Sequence, residues 1–127
     1  VAAGQAFSAF LPGQVTSRIH VDDIVSGIHQ ICAGAGVVGV FNMADDYAAP
    51  SAVVNDYAAQ LLGMPALERL PPDDPRLGPA VASFMAANRR IYGRRLREDL
   101  GWSPQYPSFK EGLEACLDAD MVKTPNQ

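Results

Sequence analysis

No uninterrupted apolar segment of this sequence approaches the roughly 20 residues that a membrane-crossing helix needs, and no charged-then-apolar leader stands at its start. Residence in the cytoplasm, away from any membrane, is the expectation. Cysteine is scarce. There are two, Cys32 and Cys116, each at an apolar position of a predicted helix, which suits a pair of reduced core thiols better than a disulfide framework. Basic residues are outnumbered, 10 against 14 acidic, for a net charge of −4 and a pI near 4.9. Polyanions select clustered Lys and Arg, so nucleic acid is not an expected partner; Arg89, Arg90, Arg94, Arg95 and Arg97 form a local exception. The two histidines, His20 and His29, have no cysteine or carboxylate at zinc-ligand spacing, and an acidic turn explains Asp45-Asp46 without an ion. Also missing are a serine on a strained nucleophile turn, an internal repeat and a heptad array.

What remains is a chain of 127 residues with 48% hydrophobic and 19% charged content. That is ordinary for one soluble domain with a modest core. We expect a single substrate-binding-type domain over residues 1–118 and a flexible tail over 119–127. The chain opens on Val1, which fits either removal of an initiator methionine or a longer precursor.

Residues 5–10 and 15–19 read as two short strands around the turn Leu11-Pro12-Gly13-Gln14. From Val21, apolar residues at Ile24, Val25, Ile28, Ile31 and Cys32 have the spacing of a helix with one buried face. Asp22 and Asp23 stand in its first turn, where negative charge favours the free amides, and Gly34 is its predicted stop. The run Val37-Val38-Gly39-Val40-Phe41-Asn42 suits a strand buried on both faces and implies a parallel sheet. After Pro50 a helix places Val53, Val54, Tyr57, Leu61 and Leu62 on one side and ends at Gly63. The prolines of residues 65–79 predict a surface loop. A short helix around Val81, Phe84 and Met85 follows, then an extended piece over Arg89–Ile91, then a basic helix with Leu96 and Leu100 inward, stopped by Gly101 and backed by Trp102. The last helix opens on a capping box, Ser108 with Glu111, and carries a stripe of Phe109, Leu113, Cys116 and Leu117.

Two short motifs match reductase signatures in spelling and not in context. Gly34-Ala35-Gly36-Val37-Val38-Gly39 spells the dinucleotide fingerprint G-x-G-x-x-G, which works when a strand delivers its glycines to a helix N-terminus. Here a helix ends at the glycines, so no cofactor-binding residue is assigned. Tyr106 and Lys110 have the Tyr-x-x-x-Lys spacing, but Ser108 is the predicted cap. Tyr106 then lies before the helix, and the two side chains need not share a face. No catalytic residue is assigned either.

Four stretches carry a family resemblance: Ser17-Arg18-Ile19-His20-Val21-Asp22-Asp23-Ile24-Val25; Gly39-Val40-Phe41-Asn42 with Ala44-Asp45-Asp46; Asn88-Arg89-Arg90-Ile91; and Leu96 through Leu113, which includes Gly101-Trp102-Ser103-Pro104. In order and spacing they resemble the C-terminal, substrate-side part of an atypical extended short-chain dehydrogenase/reductase of the NAD-dependent epimerase/dehydratase family. The resemblance implies a partial α/β fold, the C-terminal part of a Rossmann-like reductase with short strands and about five helices. It further implies that the glycine fingerprint, the catalytic Tyr and Lys and the NAD or NADP site belong to an N-terminal half that this stretch does not match. By the same resemblance Arg18, His20, Arg89 and Arg90 are the candidate substrate-binding residues, facing a small anion. Sugar-nucleotide epimerases of the family carry an arginine two residues before the position of Arg18. Here Thr16 stands there, and a hydroxyl cannot replace a bidentate guanidinium. The expected role is a catalytically silent substrate-binding segment, similar to nucleoside-diphosphate-sugar epimerases, that works with a cofactor half. The alternatives are a self-associating module, a homodimer joined at the exposed edge of Val37–Asn42, and a binder of small anionic metabolites with the proline-rich loop as its lid.

Overall fold

Proline and glycine set the limits of several elements. Pro50 precedes one helix and Pro79 begins another, where the missing N–H lacks an intrahelical partner in any case. Gly63 and Gly101 follow helices with φ of 66°, a left-handed conformation that glycine accepts without strain. The structure, a computed structural model, describes residues 7–34, 36 and 38–123, with only the backbone over 121–123. The element order is β1 (Phe7–Ala9), α1 (Val21–Ala33), α2 (Ser51–Leu61), β2 (Glu68–Leu70), α3 (Pro79–Met85), α4 (Arg94–Leu100) and α5 (Phe109–Lys123). The fold is mixed α/β with five helices and, among the described residues, one parallel pair of short strands. Class, short strands and helix number agree with the sequence. No helix among the described residues is long and apolar enough to cross a membrane.

The chain divides into two compact units. The first combines residues 1–16 with 48–90. In it β1 runs parallel to β2 in the register Phe7↔Glu68, Ser8↔Arg69 and Ala9↔Leu70, and the Phe10 amide continues the ladder to the Leu70 carbonyl at 2.8 Å. Ala9, Leu70, Leu77 and Met85 form the core, with Phe7 and Val81 against it. Burying each larger aliphatic side chain there stabilises the unit by roughly 1.5–3 kcal/mol. Asn88 acts as a bracket: its Oδ1 accepts from the Val15 amide at 3.2 Å while its Nδ2 donates to the Gly13 carbonyl at 3.1 Å. That bracket holds the Pro12-Gly13 turn. The two strands expected around the Leu11–Gln14 turn do not pair with each other. Residues 5 and 6 lie outside the described residues, β1 pairs with β2, and of the expected second strand Thr16 alone makes bridges, to Ala49 and Arg89. The proline-rich segment is likewise not simply a loop, because it contains β2. There Arg76 is held above the usual guanidinium value by Asp74 and Glu68 and lies 5.9 Å over the Phe7 ring.

The second unit combines residues 17–47 with 91–127 and contains α1, α4 and α5. Helix α1 ends at Gly34 as predicted, but its orientation follows its apolar spacing only in part: Ile24 and Ile31 are half-buried beside Gly27 while the other three residues of the predicted face are open. Asp23 and Gly27 are the buried positions, whereas Val21, Val25, Ile28 and Cys32 are exposed. Gly27 allows a close approach, since a Cβ there would stand 2.5 Å from Met43 Sδ and 3.5 Å from the Trp102 ring. The expected strand over Val37–Asn42 is absent across its described residues, Val37 lying outside them. Val38 and Val40 are each 84% exposed, and their carbonyls accept from the Arg95 guanidinium at 3.1 and 3.3 Å. A strand buried on both faces needs neighbouring strands, and the described part of this unit has none. Arg95, resting 4.6 Å over the Phe41 ring, serves those carbonyls instead.

In α5 the capping box forms: Glu111 Oε2 accepts from the Ser108 amide at 3.0 Å and Ser108 Oγ from the Lys110 amide at 3.2 Å. The helix continues past Asp118 to Lys123, and residues 124–127 lie outside the described residues. Both cysteines are free and exposed, so neither is the core thiol expected from its position. On α1 the side that carries Cys32 is open, whereas on α5 Phe109 is buried and Leu113 and Leu117 are half-buried, so Cys116 alone of that stripe is exposed.

Candidate functional site

The second unit gathers most of the polar residues that carry the resemblance, and nearly all of them are engaged. His20 is the N-cap of α1, and its Nδ1 accepts from the Asp22 amide at 3.2 Å. That bond leaves the proton of a neutral ring on Nε2, which lies 3.5 Å from Cys116 Sγ. The ring also packs on Tyr106 at 4.1 Å between centroids, and Gly112 lets α5 approach, since a Cβ there would be 3.5 Å from His20 Cδ2. The side chain is 10% exposed. Its surroundings make His20 a structural cap.

Asp23 is a buried pin. It is 1% exposed, and its two carboxylate oxygens accept from the backbone amides of Gln105 at 2.6 Å and Tyr106 at 3.1 Å. Charge-assisted bonds of this kind are about twice as strong as neutral ones. They fix the connection between α4 and α5 against the first turn of α1. Ser26 extends the network, donating to the Asp23 carbonyl at 3.1 Å and accepting from Trp102 Nε1 at 2.9 Å. Gln30 Nε2 donates to the Leu100 carbonyl at 2.8 Å, serving a C-terminal carbonyl of α4. Along this side of α1 lies an open depression of about 600 Å³, bounded by Asp22, Val25, Ser26, His29, Gln30 and Trp102. Sequence reasoning placed Trp102 in the packing and found neither the pin nor the depression. The donors to Asp23 are backbone amides some eighty residues away, which no side-chain pattern displays.

Arg18 and Asp45 form the other half of the network. Burial pushes the Arg18 guanidinium below its usual value, partly offset by the charge of Asp45. Burial likewise raises Asp45 above the usual aspartate value, against the opposing pull of the Tyr47 amide and Arg18. The Arg18 carbonyl accepts from the Asp45 amide at 2.7 Å, and the Asp46 amide donates to the Pro107 carbonyl at 2.9 Å. Arg97 pairs with Asp46. The Asp45-Asp46 turn is thus occupied by protein groups, and no cluster of three metal-ligating side chains exists among the described residues.

The four candidate substrate-binding residues fall in different units: Arg18 and His20 in the second, Arg89 and Arg90 in the first. In the first unit the Arg89 amide donates to the Val15 carbonyl at 3.2 Å, and both arginine side chains are exposed.

The motif spellings can be tested against this geometry. Gly34 is the C-cap of α1, its amide directed to the carbonyls of Gln30 and Ile31, and among the described residues the next helix starts at Ser51. Ala35 and Val37 lie outside the described residues. An amide bonded back into its own helix is not free to cradle a phosphate, so Gly34 does not supply the first donor of that fingerprint here. Tyr106 lies outside α5, where it accepts from Gln105 Nε2 at 3.4 Å and packs on His20, while Lys110 is in the first turn of the helix.

In class, the chain is a partly wound α/β protein whose polar motif residues hold two connecting segments in place. No family model matches it. Over 101 residues it is 36% identical to a Streptomyces protein named 3-diazoavenalumate denitrifying reductase, a match that covers 78% of this chain and 33% of that one. A solved structure described as a functionally unknown conserved protein from Silicibacter pomeroyi is similar with a TM-score of 0.82 and 38% identity, over 92% of this chain and 41% of that chain. The chain spans about a third of the curated relative and about two fifths of the structural one. At this coarse level the likeness is to a reductase.

Proposed function

We propose that the chain is the substrate-side segment of a reductase of the epimerase/dehydratase type, silent in chemistry by itself, and that the NAD or NADP step belongs to a companion part of such a protein. The observation that carries this reading is the extent of the reductase match, most of this chain but a third of the relative. Two features of the geometry support it. The fingerprint glycines follow a helix, and Tyr106 is packed on His20 outside the helix that holds Lys110. Within this reading Arg89 and Arg90 are the exposed cations available to an anionic substrate. The Streptomyces relative is named for action on 3-diazoavenalumate, and an anion of that kind would be met by guanidinium groups.

Calorimetric titration of the chain with NAD(H) and NADP(H) tests the central claim. No heat of binding is expected, and tight stoichiometric uptake of either coenzyme refutes the silent-segment reading. Thermal shift against small carboxylates and phosphates tests the anion site. A stabilisation that disappears in Arg89→Ala is expected.

A further inference from the structure

Helix α1 presents its more aliphatic side to solvent. Val21 and Val25 are each 62% exposed and Ile28 is 51% exposed, and Cys32 continues the series as an exposed residue. Positions i, i+4, i+7 and i+11 lie in one narrow stripe along a helix, so these four side chains form a continuous ridge. The seated side holds Asp23 and Gly27, both buried, with Ile24 and Ile31 half-buried beside them, and the Val21–Val25–Ile28 stripe still faces out. Single exposed aliphatic residues are common, but a contiguous stripe marks an interaction surface. Alongside runs the depression bounded by Asp22, Ser26, His29 and Gln30, with Val25 common to both features. An apolar centre beside a polar border is the composition of a protein-contact surface. The exposed Val38 and Val40, in the same unit, add to the apolar area left open.

We infer that the Val21–Val25–Ile28 stripe with its flanking depression is the docking face for the companion part of a longer reductase chain. This inference rests on the reading given under Proposed function and names where the companion seats. The occupant is argued from length. Both relatives continue well beyond the stretch they share with this chain, which spans 33% of one and 41% of the other. A helix whose seated side is secured by a carboxylate pin and a glycine contact has its aliphatic side available for such a neighbour.

The solved Silicibacter pomeroyi chain offers the first test, because it contains the matched stretch together with the rest of its polypeptide. The positions aligned with Val21, Val25 and Ile28 are expected to be covered by residues from outside the match. Positions that stay as open as they are here, or that are covered by a second copy, overturn the inference. In solution, Val25→Cys in a Cys32→Ser, Cys116→Ser background reports on the same face. Iodoacetamide should modify it at least about tenfold faster than a cysteine at the aligned position of the full-length Silicibacter pomeroyi protein, because covered sites react only through local opening. Equal rates overturn the inference. So does sedimentation of the present chain as a dimer that Val25→Asp converts to monomer, since the occupant is then a second copy. Coverage is independent of redox activity. A covered stripe on a longer protein that binds no nicotinamide coenzyme would refute the reductase reading and leave the docking face standing.

Discussion

Replacing Asp23 by alanine removes the acceptor of two backbone amides, Gln105 at 2.6 Å and Tyr106 at 3.1 Å, from a site that is 1% exposed. A hydrogen bond to a charged group contributes about 1.5–3 kcal/mol, and an amide left without a partner loses part of that again unless water reaches it. Gln105 is exposed, so water can serve its amide more readily than a fully buried one. The expected loss for both together is about 3–6 kcal/mol, a fall in Tm of more than about 10 °C for a chain of this size. Trp102, the single tryptophan, is joined to Asp23 through Ser26 and reports on the same unit, so urea unfolding followed by its fluorescence is the assay. Asp22→Ala is the control. It removes an exposed first-turn carboxylate whose interaction with the helix dipole amounts to about 0.3–1 kcal/mol. Asp23→Asn should fall between the two, since one amide oxygen can still accept. If Asp23→Ala unfolds within about 0.5 kcal/mol of the parent, the carboxylate does not hold the α4–α5 connection and the pin is wrong.

Gly27→Ala tests the close approach of α1. A helix-favouring gain of about 1 kcal/mol opposes an overpacking term of about 1–3 kcal/mol, because the new Cβ would meet Met43 Sδ at 2.5 Å; a net loss in urea midpoint is expected, relieved in part by Met43→Ala. Asp45→Asn tests the raised carboxyl. A group whose folded value lies above its unfolded one contributes stability that is complete below the ordinary aspartate value near 3.8 and is lost as pH rises through the folded value. The asparagine variant should therefore show a flatter stability profile than the parent just above that pH, and identical profiles would remove burial as the cause.

Element limits were readable because they depend on local chemistry. Gly34 and Gly101 end their helices where expected, and the Ser108–Glu111 box starts the last one. Periodicity also identified an apolar side of α1, Ile24, Val25, Ile28, Ile31 and Cys32, but not what lies against it: Ile24 and Ile31 are half-buried and the other three are exposed. Asp23 was readable only as a first-turn charge, which the dipole accounts for in full. Its inward direction depends on two main-chain amides brought to it by the chain after Trp102, and main-chain donors carry no residue signature. His20 is a similar case. Its role as the N-cap of α1, its packing on Tyr106 and its proximity to Cys116 emerge only from the structure.

The departures from expectation share one direction. Val25, Ile28, Cys32, Val38 and Val40 occupy positions that hydrophobic patterning assigns to a core, and all five are exposed. Patterning presumes that every apolar face finds cover within the same stretch. In unit one Ala9, Leu70, Leu77 and Met85 close on one another, although Val53, Leu62 and Phe84, which patterning also turns inward, are exposed. In unit two the interior is instead held largely by polar pins, Asp23 and Asp45 among them, together with Leu96, Trp102 and Phe109. An interior secured in that way leaves the aliphatic residues free to serve an outer contact. A helix selected only for stability within this stretch would be expected to turn Val21, Val25 and Ile28 inward, because burial of each favours folding more than burial of a carboxylate and a glycine. The outward Val21, Val25 and Ile28, on a helix whose seated side keeps Ile24 and Ile31 half-buried, are thus the physical ground for the docking face.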